Sequence, residues 1–377
     1  MIKGTQNFMK RRLFSVAGAL GAILLLSQQG SAQEFPYQIF ERYLEPLAQQ
    51  IGMPGLSAVI ARNGRIEWER GYGYADVEAK VAATAATPYP IGGVTQAMTG
   101  VLLGICVDRH QLSVDEKIRD YVPTFPVAGA TVRQVLAHAS ENRYKYDPQQ
   151  FVALTAVVEK CSARPYRVAT ADELLTRLAM ISSAPGLDLA RNEGQAARLL
   201  FESGKLAQYD GVLGRVAVPY RIDRKGNAVR SEYPTYGLDA AGGLVTTARD
   251  LAVFERDLDQ GVPLSFSTLN QMWSAATFGA DGLPAIPGSS QGGIPAATMP
   301  TGLGWFVQSL QPGTDKRLVW GFGYIPDAGS ALILKMPHRG LTLILLSNSD
   351  GLAAGYGLER ADVSASPFAK IFLRLFL

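Results

Sequence analysis

Strand signals stand at both ends of this chain, and helical periodicity fills the middle. Leu56 to Ala61 is an apolar run followed by Asn63-Gly64, a strong two-residue hairpin signal, and a second strand near Ile66 to Tyr74. Near the C-terminus, short strands are predicted over Gly304 to Leu310, Arg317 to Trp320, Ser330 to Lys335 and Leu341 to Ser347. The last two are joined by the turn Pro337-His338-Arg339-Gly340. Helical patterns flank this set, from about Tyr37 to Gln50 and from Ser364 to Leu377. This arrangement predicts an α/β (α+β) fold with one antiparallel sheet assembled from both ends of the chain and flanked by helices. The middle, 95–230, reads as a mainly helical lobe, leaving 33–94 and 231–377 for the α/β domain. A further helix is expected over Asp250 to Asp259, capped near Thr246-Thr247, and the stretch Gly279 to Gly302 reads as loop.

Composition narrows the function classes. At 377 residues and 47% hydrophobic the chain has ample core and no disorder signature. Its net charge of +3 makes no electrostatic case for nucleic acid. Three histidines and two cysteines, none clustered, predict no metal site, and no cofactor is expected.

Residues 1–32 read as a signal peptide. Lys10-Arg11-Arg12 precede the apolar run Leu13 to Leu26, and Gly30-Ser31-Ala32 supplies small residues for cleavage. Met9 would serve equally well as the start. The other reading is an uncleaved membrane anchor; the run falls short of the roughly 20 apolar residues a bilayer span needs, which favours cleavage, and no membrane anchor is expected after it. The expected location is exported, periplasmic or secreted. Export permits a disulfide between Cys106 and Cys161, which both sit late in helical patterns. Two buried free thiols are the other reading, and the sequence leaves both open.

Several segments, in order, resemble the serine β-lactamase and penicillin-binding protein family, closest to its class C β-lactamase, DD-peptidase and esterase branch. They are Tyr89 to Gln96; Leu112 to Ile118 with Tyr121-Val122-Pro123; Val135 to Ser140; Ala241 to Leu251; and Gly340 through Gly351. The resemblance implies that family's fold and three motifs around a cleft. The first, S-x-x-K, places a serine nucleophile and a lysine base on one helix face. Its positions here hold Gly93 and Gln96, and no serine or threonine anywhere has a lysine three residues on. The second, Y-x-N, corresponds to Tyr146-Asp147-Pro148, with proline in place of the amide; Pro148 itself reads as the first residue of a helix capped by Asp147. The third, K-T-G or H-x-G, corresponds to Phe322-Gly323-Tyr324, which offers stacking area without charge.

Other possible nucleophiles and bases carry less. Gly288-Ser289-Ser290-Gln291-Gly292 fits G-x-S-x-G but lacks the strand and helix that motif needs. His338 belongs to a hairpin turn. Thr95 projects away from the face of Gly93. His138 is expected to be a hydrogen-bonded structural residue beneath the cleft.

No catalytic residue is therefore assigned. The expected role is a degenerate, exported family member that binds a small molecule or peptide in the old cleft, through Gly93, Gln96, Tyr146, Pro148, Phe322, Gly323 and Tyr324. Two alternatives stay open: an active esterase, amidase or transferase with an unrecognised nucleophile, and a module that binds a protein partner through its outer surface.

Overall fold

In the computed structural model, residues 35–377 are described, apart from 236, 286–288, 292–293, 312–313 and 315, and the side chains at 291, 294 and 295. The signal-peptide reading of 1–32 lies outside them. Among the described residues no helix is long and apolar enough to cross a membrane, and no group of His, Cys, Asp and Glu is arranged to hold a metal.

The described residues divide into two compact units, 48–370 and a smaller one of 35–47 with 371–377. Within the smaller unit Tyr37 stacks on Phe376 at 5.4 Å, and Phe40 meets Phe372 edge-on at 6.0 Å. The helix 35–51, α1, matches the periodicity that predicted it. The C-terminal helix, Pro367–Phe376, starts three residues later than expected.

The larger unit is built on a seven-stranded sheet. Its strands are β1 (Gly55–Arg62), β2 (Arg65–Asp76), β3 (Val81–Ala82), β4 (Phe306–Ser309), β5 (Arg317–Ile325), β6 (Gly329–Met336) and β7 (Leu341–Ser347). The spatial order is β4-β5-β6-β7-β1-β2-β3, and every pairing is antiparallel. The first and last long strands are thus neighbours, with Leu56 opposite Ser347 and Arg62 opposite Leu341. Positive φ at Asn63 (49°) and Gly64 (76°) gives the tight hairpin its primed turn. Every residue of β6 and β7 is buried, the apolar runs Ala331 to Leu334 and Leu343 to Leu346 together with the polar Ser330, Lys335, Thr342 and Ser347.

One apolar core runs from Val59, Ile333 and Ile344 of the sheet into Met98, Val101, Leu154 and Leu174 of the helical stretch. The helix α2 (Thr95–Asp108) lies at its centre and α4 (Leu154–Ser162) packs beside it, after the single-turn α3 (Pro148–Phe151). Cys106 of α2 and Cys161 of α4 form a disulfide with Cα atoms 6.0 Å apart, so the free-thiol reading falls. The helix α5 (Ala248–Asp259) begins at the cap Thr247, whose hydroxyl accepts the Asp250 N–H. Its Glu255 and Asp259 carboxylates hold the fully buried Lys335 of β6, at 2.9 and 2.6 Å.

Three features were not foreseen in the sequence. The segment expected to be mainly helical ends in a hairpin of Tyr220–Ile222 with Ala228–Arg230, where the Asp223 side chain accepts the N–H groups of Lys225 and Asn227 and closes the turn. The 279–302 loop contains two-residue ladders, Ser290–Gln291 with Ile294–Pro295 and Thr277–Phe278 with Ala297–Thr298. A helix over Phe266–Met272, capped by Ser265, was not foreseen.

Candidate functional site

The sheet edge, the start of α2 and the loop before α3 converge on one place. Tyr89 and Pro90 pair with Thr246 and Val245, which joins two of the motif-bearing segments and presents the turn Gly92–Val94 at the head of α2. Gly92 reaches this turn with φ of 51°. On β5, alternation sends Trp320, Phe322 and Tyr324 to one face. Gly321 and Gly323 lie on the other, where a β-carbon on Gly323 would stand 2.0 Å from the Ile91 carbonyl oxygen. Only glycine permits that close approach, and it is what lets the strand run against the head of α2.

Asp147 caps α3 by accepting the Gln150 N–H at 3.0 Å, and Pro148 takes the first helical position, as the sequence predicts. This fixes Tyr146 over the head of α2. Its ring lies 5.3 Å from Phe322, 6.0 Å from Phe306 and 4.7 Å from His138. Phe306 stacks in turn on Trp320 at 4.2 Å, and His138 on Phe151 at 5.0 Å. The expected cationic position of the third motif is therefore one member of a continuous aromatic stack.

Beneath the stack runs a polar relay whose direction is set by its first bond. His138 Nδ1 accepts the Asp147 backbone N–H at 3.2 Å, so its proton sits on Nε2. Nε2 donates to Gln96 Oε1 at 3.1 Å, and Gln96 Nε2 donates to the Tyr146 hydroxyl at 3.3 Å. Burial holds His138 neutral, its pKa pushed down to about 4 against a weaker upward pull from Asp147. Burial also pushes the Tyr146 phenol up to about 12, only partly offset by the Gln96 bond. Neither group is an activated base or nucleophile near neutral pH.

At Gly93 the space for a side chain is closed. A β-carbon there would stand 2.8 Å from the Phe322 carbonyl oxygen and 2.8 Å from the Tyr146 hydroxyl oxygen, closer than real side chains approach. Gly93, at the position that corresponds to the family's serine, thus has the Phe322 carbonyl and the Tyr146 hydroxyl packed against the side-chain direction.

Outside this plug is a cavity of about 620 Å³. Of the seven residues expected in the cleft wall, Tyr146, Pro148, Phe322 and Tyr324 line it. Gly93, Gln96 and Gly323 do not: Gln96 is buried and bonded to the Tyr146 hydroxyl, Gly93 is half-buried with its side-chain direction closed by Tyr146 and Phe322, and Gly323 faces Ile91. The remaining wall, from Ala353 to Gly357 with Glu359 and Arg360, was missed. It follows β7 as a run of turns with positive φ at Gly355 (78°), Gly357 (66°) and Ala361 (64°), and Tyr144 secures it by donating its hydroxyl to the Glu359 carbonyl at 2.5 Å. The repeated glycines of Gly355-Tyr356-Gly357 are the available signal for such a turn.

The other candidates lie elsewhere. Ser290 sits on a two-residue strand, and His338 is exposed on the turn between β6 and β7. The Thr95 hydroxyl is buried and accepts the Leu244 N–H at 3.4 Å. His138 is the hydrogen-bonded structural residue expected beneath the cleft.

The β-lactamase family profile matches residues 40–365, and the chain belongs to that family, a serine hydrolase fold. Two curated relatives match over short stretches. "Protein flp" of Staphylococcus aureus (strain N315) is 31% identical over 109 residues, 27% of this chain and 22% of its own length. The human "Serine beta-lactamase-like protein LACTB, mitochondrial" is 29% identical over 108 residues, 27% of this chain and 20% of its own. The matched stretch thus spans about a fifth of these relatives. Among solved structures, the octameric penicillin-binding protein homologue from Pyrococcus abyssi has a TM-score of 0.66 at 20% identity, covering 89% of this chain and 76% of that one. A class C β-lactamase from Rhodobacter sphaeroides has a TM-score of 0.63 at 16% identity, covering 91% and 100%. These likenesses establish the fold.

Proposed function

We propose that this chain is a non-hydrolytic member of the β-lactamase family that binds a small molecule or peptide in the cleft bounded by Tyr146, Phe322, Tyr324 and the 353–360 segment. The observation that carries the reading is the closed space at Gly93, where the Phe322 carbonyl and the Tyr146 hydroxyl each stand 2.8 Å from a side chain's first carbon. A family serine would have no room there without movement of strand backbone. The lysine position supports the same reading, since Gln96 has both ends of its amide engaged by His138 and Tyr146. Binding and oxyanion effects alone leave on the order of 10³-fold over water in a serine hydrolase stripped of its triad, well short of a working enzyme.

Export is part of the proposal. The basic, apolar and small-residue order of 10–32 supports it, and the Cys106–Cys161 disulfide suits an oxidising compartment.

The test is intact-protein mass after incubation with a fluorescent penicillin and, separately, a fluorophosphonate. The unmodified mass is expected in both. An adduct would overturn the proposal in favour of an active hydrolase, and peptide mapping would name its nucleophile. Binding that persists unchanged after substitutions at Tyr146 and Phe322 would instead favour the outer surface.

A further inference from the structure

The charge around the cavity identifies the class of ligand, on the footing that the cleft is a binding site. Its inner wall is aromatic: Tyr146 and Phe322 pack together at 5.3 Å, and Tyr324 and Tyr356 add two more rings to the lining. Phe322 stands where the family's cationic third-motif residue is expected, and Gln96 where its lysine is expected, so both positive charges that would draw a carboxylate are gone. What replaces them is negative. Glu359 lines the cavity; the phenols of Tyr144 and Tyr146 are raised chiefly by burial, and the Glu359 charge adds to the rise. The Tyr324 phenol is likewise raised first by burial, with the Asp350 and Asp327 charges acting in the same sense. Arg360 is the cation of the lining, exposed and adjacent in sequence to Glu359.

We propose that the cleft selects a ligand with a cationic amine head, seated against the faces of Tyr146, Phe322, Tyr324 and Tyr356 and neutralised by the Glu359 carboxylate. An aromatic face carries the negative end of the ring quadrupole and attracts an ammonium group, and a quaternary ammonium suits it best because it is weakly hydrated. A carboxylate would meet the same faces with the wrong sign and would also face Glu359. The selectivity is thus the reverse of that expected from a cleft carrying the two family cations.

Three probes of one shape and different charge test this: benzyltrimethylammonium, benzyl alcohol and benzoate, titrated by calorimetry into the full-length protein. The cation is expected to bind at least tenfold more tightly than benzoate. Glu359→Gln should weaken the cation about tenfold and leave benzyl alcohol unchanged, and Phe322→Leu should weaken both. Glu359 is exposed and Phe322→Leu keeps an apolar side chain, so thermal melting identifies any variant that has failed to fold. If benzyl alcohol or benzoate binds as tightly as the cation, yet still responds to Phe322→Leu, the charge selectivity is overturned and the cleft reading stands. A benzoate preference abolished by Arg360→Ala would assign the site to anions and overturn it equally. If none of the three binds, or binding ignores every cleft substitution, both readings fall together.

Discussion

The hydroxyl oxygen of Tyr146 stands 2.8 Å from where Gly93 would carry a β-carbon, and the Phe322 carbonyl oxygen closes the same space at the same distance. A glycine at this point is required by packing. Overpacking a well-filled site costs about 1–3 kcal/mol, and Gly93→Ala is expected to lose stability in that range by urea unfolding. In a Tyr146→Phe background the same substitution should cost less, because one of the two contacts is gone while the strand carbonyl remains. Strict additivity of the two changes would remove Tyr146 as a cause. The double variant Gly93→Ser/Gln96→Lys, which restores the motif on paper, is accordingly expected to stay unlabelled by penicillin.

Gln96 is held at both ends, and its loss strands two partners. Gln96→Leu leaves the His138 Nε2–H without an acceptor inside the core and removes the donor to Tyr146. An unsatisfied buried donor costs about 1–3 kcal/mol, which should appear in the urea midpoint with little change in the denaturant slope. A cost below about 0.5 kcal/mol would mean that water or a rotated His138 serves instead.

His138 makes stability depend on pH in a defined window. Its folded pKa is pushed down to about 4 by burial, from an ordinary value of 6.5. Between these values the unfolded chain binds more protons than the folded one, so stability falls as pH drops through 6.5 towards 4 and levels off below. The full span corresponds to a contribution on the order of 3 kcal/mol. His138→Asn, chosen because φ at 138 is 50° and asparagine tolerates that region, should flatten the profile between pH 4 and 7. An imidazole NMR titration centred near 6.5 in the native protein would contradict the buried, neutral assignment.

The parts of this structure that were legible in the sequence are those governed by local chemistry. Asn63-Gly64 announces a primed turn, Asp147-Pro148 announces a capped helix, and the apolar segments Ser330 to Lys335 and Leu341 to Ser347 announce strands. The wall residues Tyr146, Pro148, Phe322 and Tyr324 were reachable by alignment of motifs along the chain. What was not legible depends on closeness in space between distant residues. Gly93 and Gln96 occupy motif positions, yet neither lines the cavity, because the Tyr146 hydroxyl and the Phe322 carbonyl close the side-chain direction of Gly93 and Gln96 is buried against Tyr146. Phe306 joins the aromatic stack only because β4 pairs with β5 in the register that sets it opposite Trp320. The 353–360 wall lacks motif residues altogether, and its place over the cavity depends on the Tyr144 bond from a segment more than 200 residues earlier. Short ladders such as Thr277–Phe278 with Ala297–Thr298 gain their order from burial of Phe278, a tertiary effect that no local pattern carries.

The Cys106–Cys161 disulfide ties the helix that carries Gln96 to the helix that follows Pro148. It joins residues 55 apart in sequence, and both helices contribute to the central core. Chain entropy for a loop of that length assigns it about 4 kcal/mol of stability, drawn from restriction of the unfolded state. Reduction, or the Cys106→Ser/Cys161→Ser variant, is therefore expected to lower the melting temperature substantially while native near-ultraviolet circular dichroism persists below the transition. Because the effect acts through the unfolded chain, cleft binding at temperatures below the melt should be unchanged in the double variant. A loss of cleft binding without a loss of stability would show instead that the bridge positions α2 against Tyr146 in the native state.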